Sequence, residues 1–227
     1  MARLLMSKTP RTPRTFWDWY AAAYDLIWDS PFTTTFAAEI ARRVCGDVIV
    51  DLGCGTGLAT ATLNAHVIGV DSSAEMLRRA KGRCDQVVLA SAERTPLHDE
   101  SVNAVVVANV VHACASPTAV VREALRIVQP GGRVLITWPS DHATIDSIAN
   151  VQRSLGLPKL SAARAKRLAT AFGILSAMTR VPRRATPAIM SELAVFVREP
   201  IRPQAPPALF GMQQMLCLRV RPAGRNP

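Results

Sequence analysis

At 227 residues, with 49% apolar and 19% charged positions and no internal repeat, the chain reads as one globular domain with a buried core. Its longest apolar run, AVVVANVVHACA from Ala104, is broken by Asn109 and His112 and is too short for a membrane span; the basic start MARLLMSKTPRTPR has no apolar signal segment, so a cytoplasmic location is expected. The five cysteines form no C-x-x-C pair, which argues against a disulfide framework and a zinc site, and the net charge of +10 raises the question of an anionic partner.

Residues 1–14 carry Arg3, Lys8, Arg11 and Arg14 and no acid. The next stretch, FWDWYAAAYDLIWDSPFTTTF at 16–36, holds eight of the chain's six Phe, two Tyr and four Trp residues taken together. At helical spacing, Trp17, Tyr20, Tyr24 and Trp28 fall within an arc of about 80°, with Asp18, Asp25 and Asp29 on the opposite side. Ser30-Pro31 then looks like an N-cap and first-turn proline for a second helix, 31–44, ending at Gly46. The aromatic stripe either packs these helices on the sheet edge or roofs a ligand pocket.

From 47 onward short apolar runs alternate with helical stretches. VIVDL (48–52), HVIGV (66–70), QVVLA (86–90), NAVVVA (103–108) and RVLITW (133–138) are continuous and rich in β-branched residues, as expected of strands buried on both faces. Helices are predicted over 57–64, 73–83 and 117–128, the last opening on Ser116-Pro117 and closing at Pro130-Gly131-Gly132. This alternation implies a doubly wound, mostly parallel α/β sheet with right-handed crossovers. Further on, helices are predicted over 141–156 and 160–178, strands at LAVFV (193–197) and MLCLRV (215–220), a proline-rich loop between those strands, and a disordered tail. Between Asp146 and Glu192 eight basic residues occur with no acid.

The informative unit is VIVDLGCGTGLAT at 48–60. Gly53, Gly55 and Gly57 follow a buried strand and let the backbone turn tightly against a ligand. Asp71 ends the next strand, twenty residues after Asp51, where an acid can accept two ribose hydroxyl hydrogen bonds. A dinucleotide-binding G-x-G-x-x-G/A would need a small residue at position 58, which is Leu58. The spacing therefore suits an adenosine ligand without phosphate.

Taken in order, DLGCGTG, VDSSAEML, VVVANVVH and VQPGGRVLITW resemble the successive motifs of the class I S-adenosylmethionine-dependent methyltransferases over about 48–138. They resemble most the branch that methylates small molecules, quinones and phospholipids, and the leading WYAAAYDLIW is similar to that branch's N-terminal cap. The resemblance implies a seven-stranded Rossmann-like sheet with an N-terminal helical cap. It implies S-adenosylmethionine as cofactor: Asp51 at its amino end, Gly53, Cys54, Gly55 and Gly57 in the loop beneath it, Asp71 on the ribose, Ser72 and Met76 along the adenine, Ser91 and Ala92 at the adenine edge, and Asn109 facing the methionine portion or the transferable methyl. His112 would sit beside the methyl acceptor, either as a base or as a packed or solvent-facing histidine, and Tyr20 and Tyr24 would offer hydroxyls near the reacting centre.

The chain departs from the pattern at Ser91, where many relatives have an acid and Glu93 is the candidate substitute, and at Asn103, where the fourth strand often begins with Asp. The absence of an N/D-P-P-Y/F motif after that strand disfavours amino methylation of DNA bases. The expected organisation is a basic arm and aromatic cap (1–46), a cofactor-binding core (47–140), C-terminal helices and two strands completing the same domain (141–220), and a tail (221–227). The expected acceptor is a small molecule or an amphiphile, with the basic 153–184 region facing a membrane surface or an anionic group. An RNA-modifying enzyme and a non-catalytic binding protein with the same fold are the rivals. The sequence is silent on oligomeric state.

Overall fold

The computed structural model describes residues 16–141, 186–196 and 213–220, with isolated positions between 150 and 170. Five parallel strands, β1 (Val48–Leu52), β2 (His66–Asp71), β3 (Gln86–Leu89), β4 (Val102–Ala108) and β5 (Val128–Pro139), are joined by one antiparallel strand, β6 (Gln213–Arg219), in the order β3-β2-β1-β4-β5-β6. The order reverses between β1 and β4, so their C-terminal ends open a crevice of the kind that binds ligands in open α/β sheets. Register pairs Asp51 with Gly69 of β2 and with Val106 of β4, placing the predicted acid at the mouth of that crevice.

The described helices are α1 (Phe16–Trp28), α2 (Pro31–Ala41), α3 (Ala74–Ala80), α4 (Pro117–Ile127) and α5 (Thr186–Leu193), the last followed by a 3-10 turn at Ala194–Phe196. Ser30, Ser73 and Ser116 cap α2, α3 and α4, each accepting a backbone N–H from three residues on. Alternation along the strands divides the core. Ile49, Ala104, Val106, Leu135 and Met215 turn toward Phe32, Phe36 and Ile40 of α2. On the other face Val105, Val107, Val134 and Ile136 pack with Val120, Val121, Ala124 and Ile127 of α4 and with Ile189 and Leu193 of α5. Helices on both faces explain why the strand sequences are apolar without alternation.

Three expectations change. The described sheet has six strands rather than seven, because Leu193 ends α5 and Ala194–Phe196 form the 3-10 turn, while the last residue of LAVFV lies outside the described residues. Ile189 and Leu193, four residues apart, are fully buried against α4 while Val195 is 74% exposed, a one-sided burial that a helix satisfies and a central strand does not. The stretch predicted as a helix at 57–64 is a run of turns. Thr56, just before it, donates its Oγ1 to Asp25, and Thr60 within it donates its Oγ1 to Asp51, contacts that compete with helical propagation. Asn103 has a structural role, its Oδ1 accepting the Val48 N–H at 2.9 Å to tie the start of β4 to β1. The helices predicted over 141–156 and 160–178, the proline-rich loop and the tail lie, isolated positions apart, outside the described residues. No described helix is long and apolar enough to cross a membrane.

One buried charge ties the loop after β3 to α4. Glu123, 6% exposed, accepts from the Thr95 N–H (2.7 Å), the Thr95 hydroxyl (2.6 Å) and Arg126 (2.6 Å). Burial opposes its ionisation, but the bonds from Arg126 and Thr95 prevail and hold the carboxyl below its ordinary value. A depressed carboxyl contributes stability above its unfolded pKa and loses it as pH falls through the folded one. Glu123→Gln should therefore lose about 1–3 kcal/mol at pH 7 in urea melts, and the gap to the unmodified chain should narrow as pH drops below the ordinary value of 4.5. An equal gap at pH 7 and pH 3 would show that the charge is not what these bonds hold.

Candidate active site

The loop after β1 turns over the sheet through residues of positive φ. Gly53 (φ 75°) lies so close to Val110 that an added Cβ would meet Val110 Cγ2 at 2.5 Å. Gly55 (φ 56°) lies beneath Tyr24, whose hydroxyl would be 4.0 Å from a Cβ there. The Gly55 N–H donates to Asp71 Oδ2 (2.9 Å) and the Ser73 N–H to Asp71 Oδ1 (2.8 Å), so one carboxylate fixes the glycine loop against the start of α3. Burial pushes the Asp71 pKa up, opposed by the backbone hydrogen bonds from Ser73, Gly55 and Ser72.

Asp51 is fully buried at the end of β1. Its Oδ2 accepts the Thr60 hydroxyl at 2.8 Å, while Oδ1 has no hydrogen-bond partner among the described residues. Burial raises its pKa to about 7, with the Thr60 bond opposing and the Asp71 charge adding to the rise. A buried carboxylate oxygen without a donor is costly unless something cationic or hydrogen-bonding arrives to meet it.

α1 lies across this crevice with three distinct faces. The aromatic face is a ladder: Tyr20 stacks on Phe16 (5.5 Å between centroids), meets Tyr24 edge-on (5.5 Å), and accepts a hydrogen bond from Trp28 Nε1 (2.8 Å). The acidic face is not directed at water. Asp25 accepts from Thr56 Oγ1 (2.6 Å) and Arg83 Nη1 (3.0 Å), and Asp18 from the Ser73 hydroxyl (2.6 Å), so it grips the glycine loop and α3. The third face exposes Trp19 (66%) and Leu26 (64%). Burial, then the neighbouring Tyr20, Asp71, Asp51 and Asp25, raise the Tyr24 pKa well above the ordinary phenol value, so Tyr24 is a neutral hydrogen-bond donor and not a base.

Together these elements enclose a cavity of about 360 Å³. Tyr20, Tyr24, Asp51, Gly53, Cys54, Gly55, Asp71, Ser72, Met76, Ser91, Ala92, Asn109 and His112 all line it. Gly57 does not: it faces α3, where an added Cβ would meet Arg83 Cβ at 3.1 Å and Cys84 Sγ at 3.2 Å. The Cys54 sulfur is packed beside that of Cys84, both 2.9 Å from where a Gly69 Cβ would lie. Asn109 adopts a left-handed backbone (φ 57°), donates its N–H to the Thr137 carbonyl (3.0 Å), and buries an Oδ1 with no partner among the described residues. Glu93, suggested as a substitute for the acid missing at Ser91, also lines the cavity and accepts the Ser116 N–H at 3.1 Å.

Phe32, Phe36, Thr33 and Gln213 line the cavity without having been singled out in the sequence. Phe32 and Phe36 lay within the aromatic stretch at a spacing of four, which signals a shared helical face. Gln213 carried no sequence signal at all. No Lys or Arg occurs among the described lining residues of this cavity, although the chain has a net charge of +10.

Residues 50–136 match a family described as a methyltransferase domain. A demethylmenaquinone methyltransferase of Clavibacter sepedonicus is 31% identical over 150 residues, covering 60% of this chain and 61% of the relative. A malonyl-[acyl-carrier protein] O-methyltransferase of a Marinomonas species is 36% identical over 101 residues, covering 40% of this chain and 37% of the relative. The chain thus spans less than two thirds of the length of these curated relatives. Among solved structures, an S-adenosylmethionine-dependent methyltransferase of Thermotoga maritima, described as a possible histamine N-methyltransferase, shares the fold with a TM-score of 0.51 at 20% identity, covering 68% of this chain and 78% of that one.

The acidic anchor of α1 can be tested on its own. Asp25→Ala removes the partner of both Thr56 and Arg83, and hydrogen–deuterium exchange across 16–28 should accelerate about 10- to 100-fold while β1 and β4 keep their protection. Unchanged exchange in α1 would mean that the aromatic ladder and the Asp18–Ser73 bond hold it without Asp25.

Proposed function

The chain carries a class I S-adenosylmethionine-dependent methyltransferase domain, and on that premise we propose that it is an enzyme methylating a small, largely apolar acceptor held under α1 and α2. The observation that carries this reading is the charge of the cavity. In a chain of net charge +10, the described lining residues include Asp51, Asp71 and Glu93 and no Lys or Arg. Such a lining favours a cationic ligand over a phosphate-bearing one. It favours a sulfonium cofactor that also carries an ammonium group, and disfavours an RNA backbone inside the cavity.

S-adenosylmethionine, when bound, supplies a methyl group already activated on sulfur. The unpartnered Oδ1 of Asp51 suits its ammonium group, and Asp71, fixed by two backbone N–H groups, retains lone pairs for the ribose hydroxyls. Gly53 and Gly55 let the backbone approach the methionine portion; Ser72, Met76, Ser91 and Ala92 line the adenine side; Asn109 faces the methionine portion. The chain's main task is then to orient the acceptor, an effect that supplies about 7–11 kcal/mol when geometry is right. Tyr24 donates a hydrogen bond, Tyr20 braces Tyr24 and Trp28, and His112 serves as a base where the acceptor must lose a proton, a role typically contributing about 10²–10⁴-fold. The aromatic walls suit a planar or apolar acceptor, in keeping with a relative named for demethylmenaquinone.

Calorimetry with S-adenosylmethionine and S-adenosylhomocysteine, followed by labelled-methyl transfer into lipid, quinone and RNA extracts, tests the proposal; failure to bind either cofactor form would overturn it. A carboxyl with a pKa near 7 gives a definite pH signature. S-adenosylhomocysteine affinity should rise as pH increases through about 7, because Asp51 then ionises, and Asp51→Asn should weaken binding and flatten that dependence. The ligand-free fold behaves oppositely: between the ordinary value of 3.8 and about 7 the native state keeps a proton that the unfolded chain gives up, so stability falls as pH rises. His112→Ala should lower turnover at unchanged cofactor affinity; a parallel collapse of cofactor binding would assign His112 to the cofactor instead.

A further inference from the structure

Gln213 opens β6 opposite Pro139, at the end of the sheet where the cavity lies. It is 6% exposed, it lines the cavity, and its Oε1 is buried with no hydrogen-bond partner among the described residues. Its face of the sheet follows from alternation. Met215, two residues on, packs with Phe32 and Phe36 of α2, so Gln213 faces α2 as well. Leu135 belongs to the same cluster, which places Thr137 on that face, and Thr137 Oγ1 is also buried without a partner among the described residues. Beside them the end of β4 contributes only the small side chain of Ala108. The result is a shallow floor beneath two phenylalanines on which the Gln213 carboxamide lines the cavity, its Oε1 without a partner among the described residues, and Thr137 is buried on the same face outside the lining.

This floor lies away from the cofactor acids. Asp51 and Asp71 close β1 and β2, whereas Gln213 stands three strand spacings from β1 across β4 and β5, or about 14 Å. A ligand held by Asp51 and Asp71 therefore leaves the Gln213 carboxamide to a second molecule. Such a group is neutral, so it selects for hydrogen bonding rather than for charge, and the described lining offers no cation to hold an anionic head.

Resting on the methyltransferase reading above, we propose that Gln213 is a specificity-determining residue, and that the acceptor is a planar apolar molecule whose hydroxyl or N–H donates to the Gln213 carboxamide between Phe32, Phe36 and the end of β5. A site built around a buried polar group discriminates strongly against the analogue that lacks the matching donor, because the group is then left unpaired.

The test uses the full chain saturated with S-adenosylhomocysteine and two probes with the same ring system, 2-naphthol and naphthalene, titrated by calorimetry. The expected result is that 2-naphthol binds at least about tenfold tighter than naphthalene. Gln213→Met, which keeps the length and removes the amide, should abolish that preference while retaining naphthalene and S-adenosylhomocysteine affinity. If Gln213→Met fails to fold by near-ultraviolet circular dichroism, Gln213→Asn takes its place, with the preference reduced because the amide is drawn back by one methylene. A preference that survives Gln213→Met, or that is undiminished in Gln213→Asn, overturns the role of Gln213, and absence of binding by both probes overturns the planar acceptor class. Failure of the unmodified chain to bind S-adenosylhomocysteine instead overturns the methyltransferase reading and this inference with it.

Discussion

The structure depends on carboxylates held together in a space nearly closed to water. Asp51 and Asp71 end adjacent strands; burial raises the pKa of both, with the Asp71 charge adding to the rise at Asp51 and the Asp18 charge to that at Asp71. Such a cluster persists only if backbone and hydroxyl donors are aimed at it, which explains the path of the loop after β1. Gly55 delivers its N–H to Asp71, and Thr60 its hydroxyl to Asp51. The loop remains a run of turns rather than a helix because those donors are committed to acids. One acceptor, Asp51 Oδ1, is left without a partner among the described residues, and on this the proposed ligand site rests.

The same logic extends to α1. Its aspartates reach Thr56, Ser73 and Arg83, so the helix is pinned to the glycine loop and to the N-terminus of α3 by groups that also shape the cofactor cavity. With the acids so engaged, the aromatic face is presented to the cavity at a set height above Gly55. Tyr24 thereby joins two tasks: it covers the glycine loop and, kept neutral by burial among carboxylates, it offers a proton to hydrogen-bond without giving it up. α2 follows in the chain and supplies the other wall, Phe32 and Phe36, over the β5–β6 end. The proposed cofactor and acceptor sides thus fall on the two halves of one continuous sheet.

Much of this was legible beforehand for reasons that can be named. Strands buried on both faces announce themselves as unbroken β-branched runs, and β1, β2, β4 and β5 lie where VIVDL, HVIGV, NAVVVA and RVLITW indicated. Serine before proline marked the starts of α2 and α4 because both residues act locally. LAVFV was misread because five apolar residues carry no period long enough to separate a strand from the end of a helix; only Ile189 and Leu193 meeting α4 decide it. The stretch 57–64 forms turns instead of a helix, with Thr60 bonded to Asp51 and Thr56, just before it, bonded to Asp25 far back in the chain.

By itself the sequence determined the chemistry available: three glycines after a buried strand, an acid at the end of that strand, a second acid twenty residues on, and an aromatic helix ahead of them. These are local signals, set by backbone freedom, side-chain type and spacing along one segment. Only the tertiary structure decided that the aromatic stripe lies over the glycine loop, that the aspartates of α1 are anchors, and that Gln213 closes the far side of the same cavity. Those relations join residues dozens to nearly two hundred positions apart. They follow from strand order and from which face each side chain takes once the sheet has formed, a register that no single segment carries.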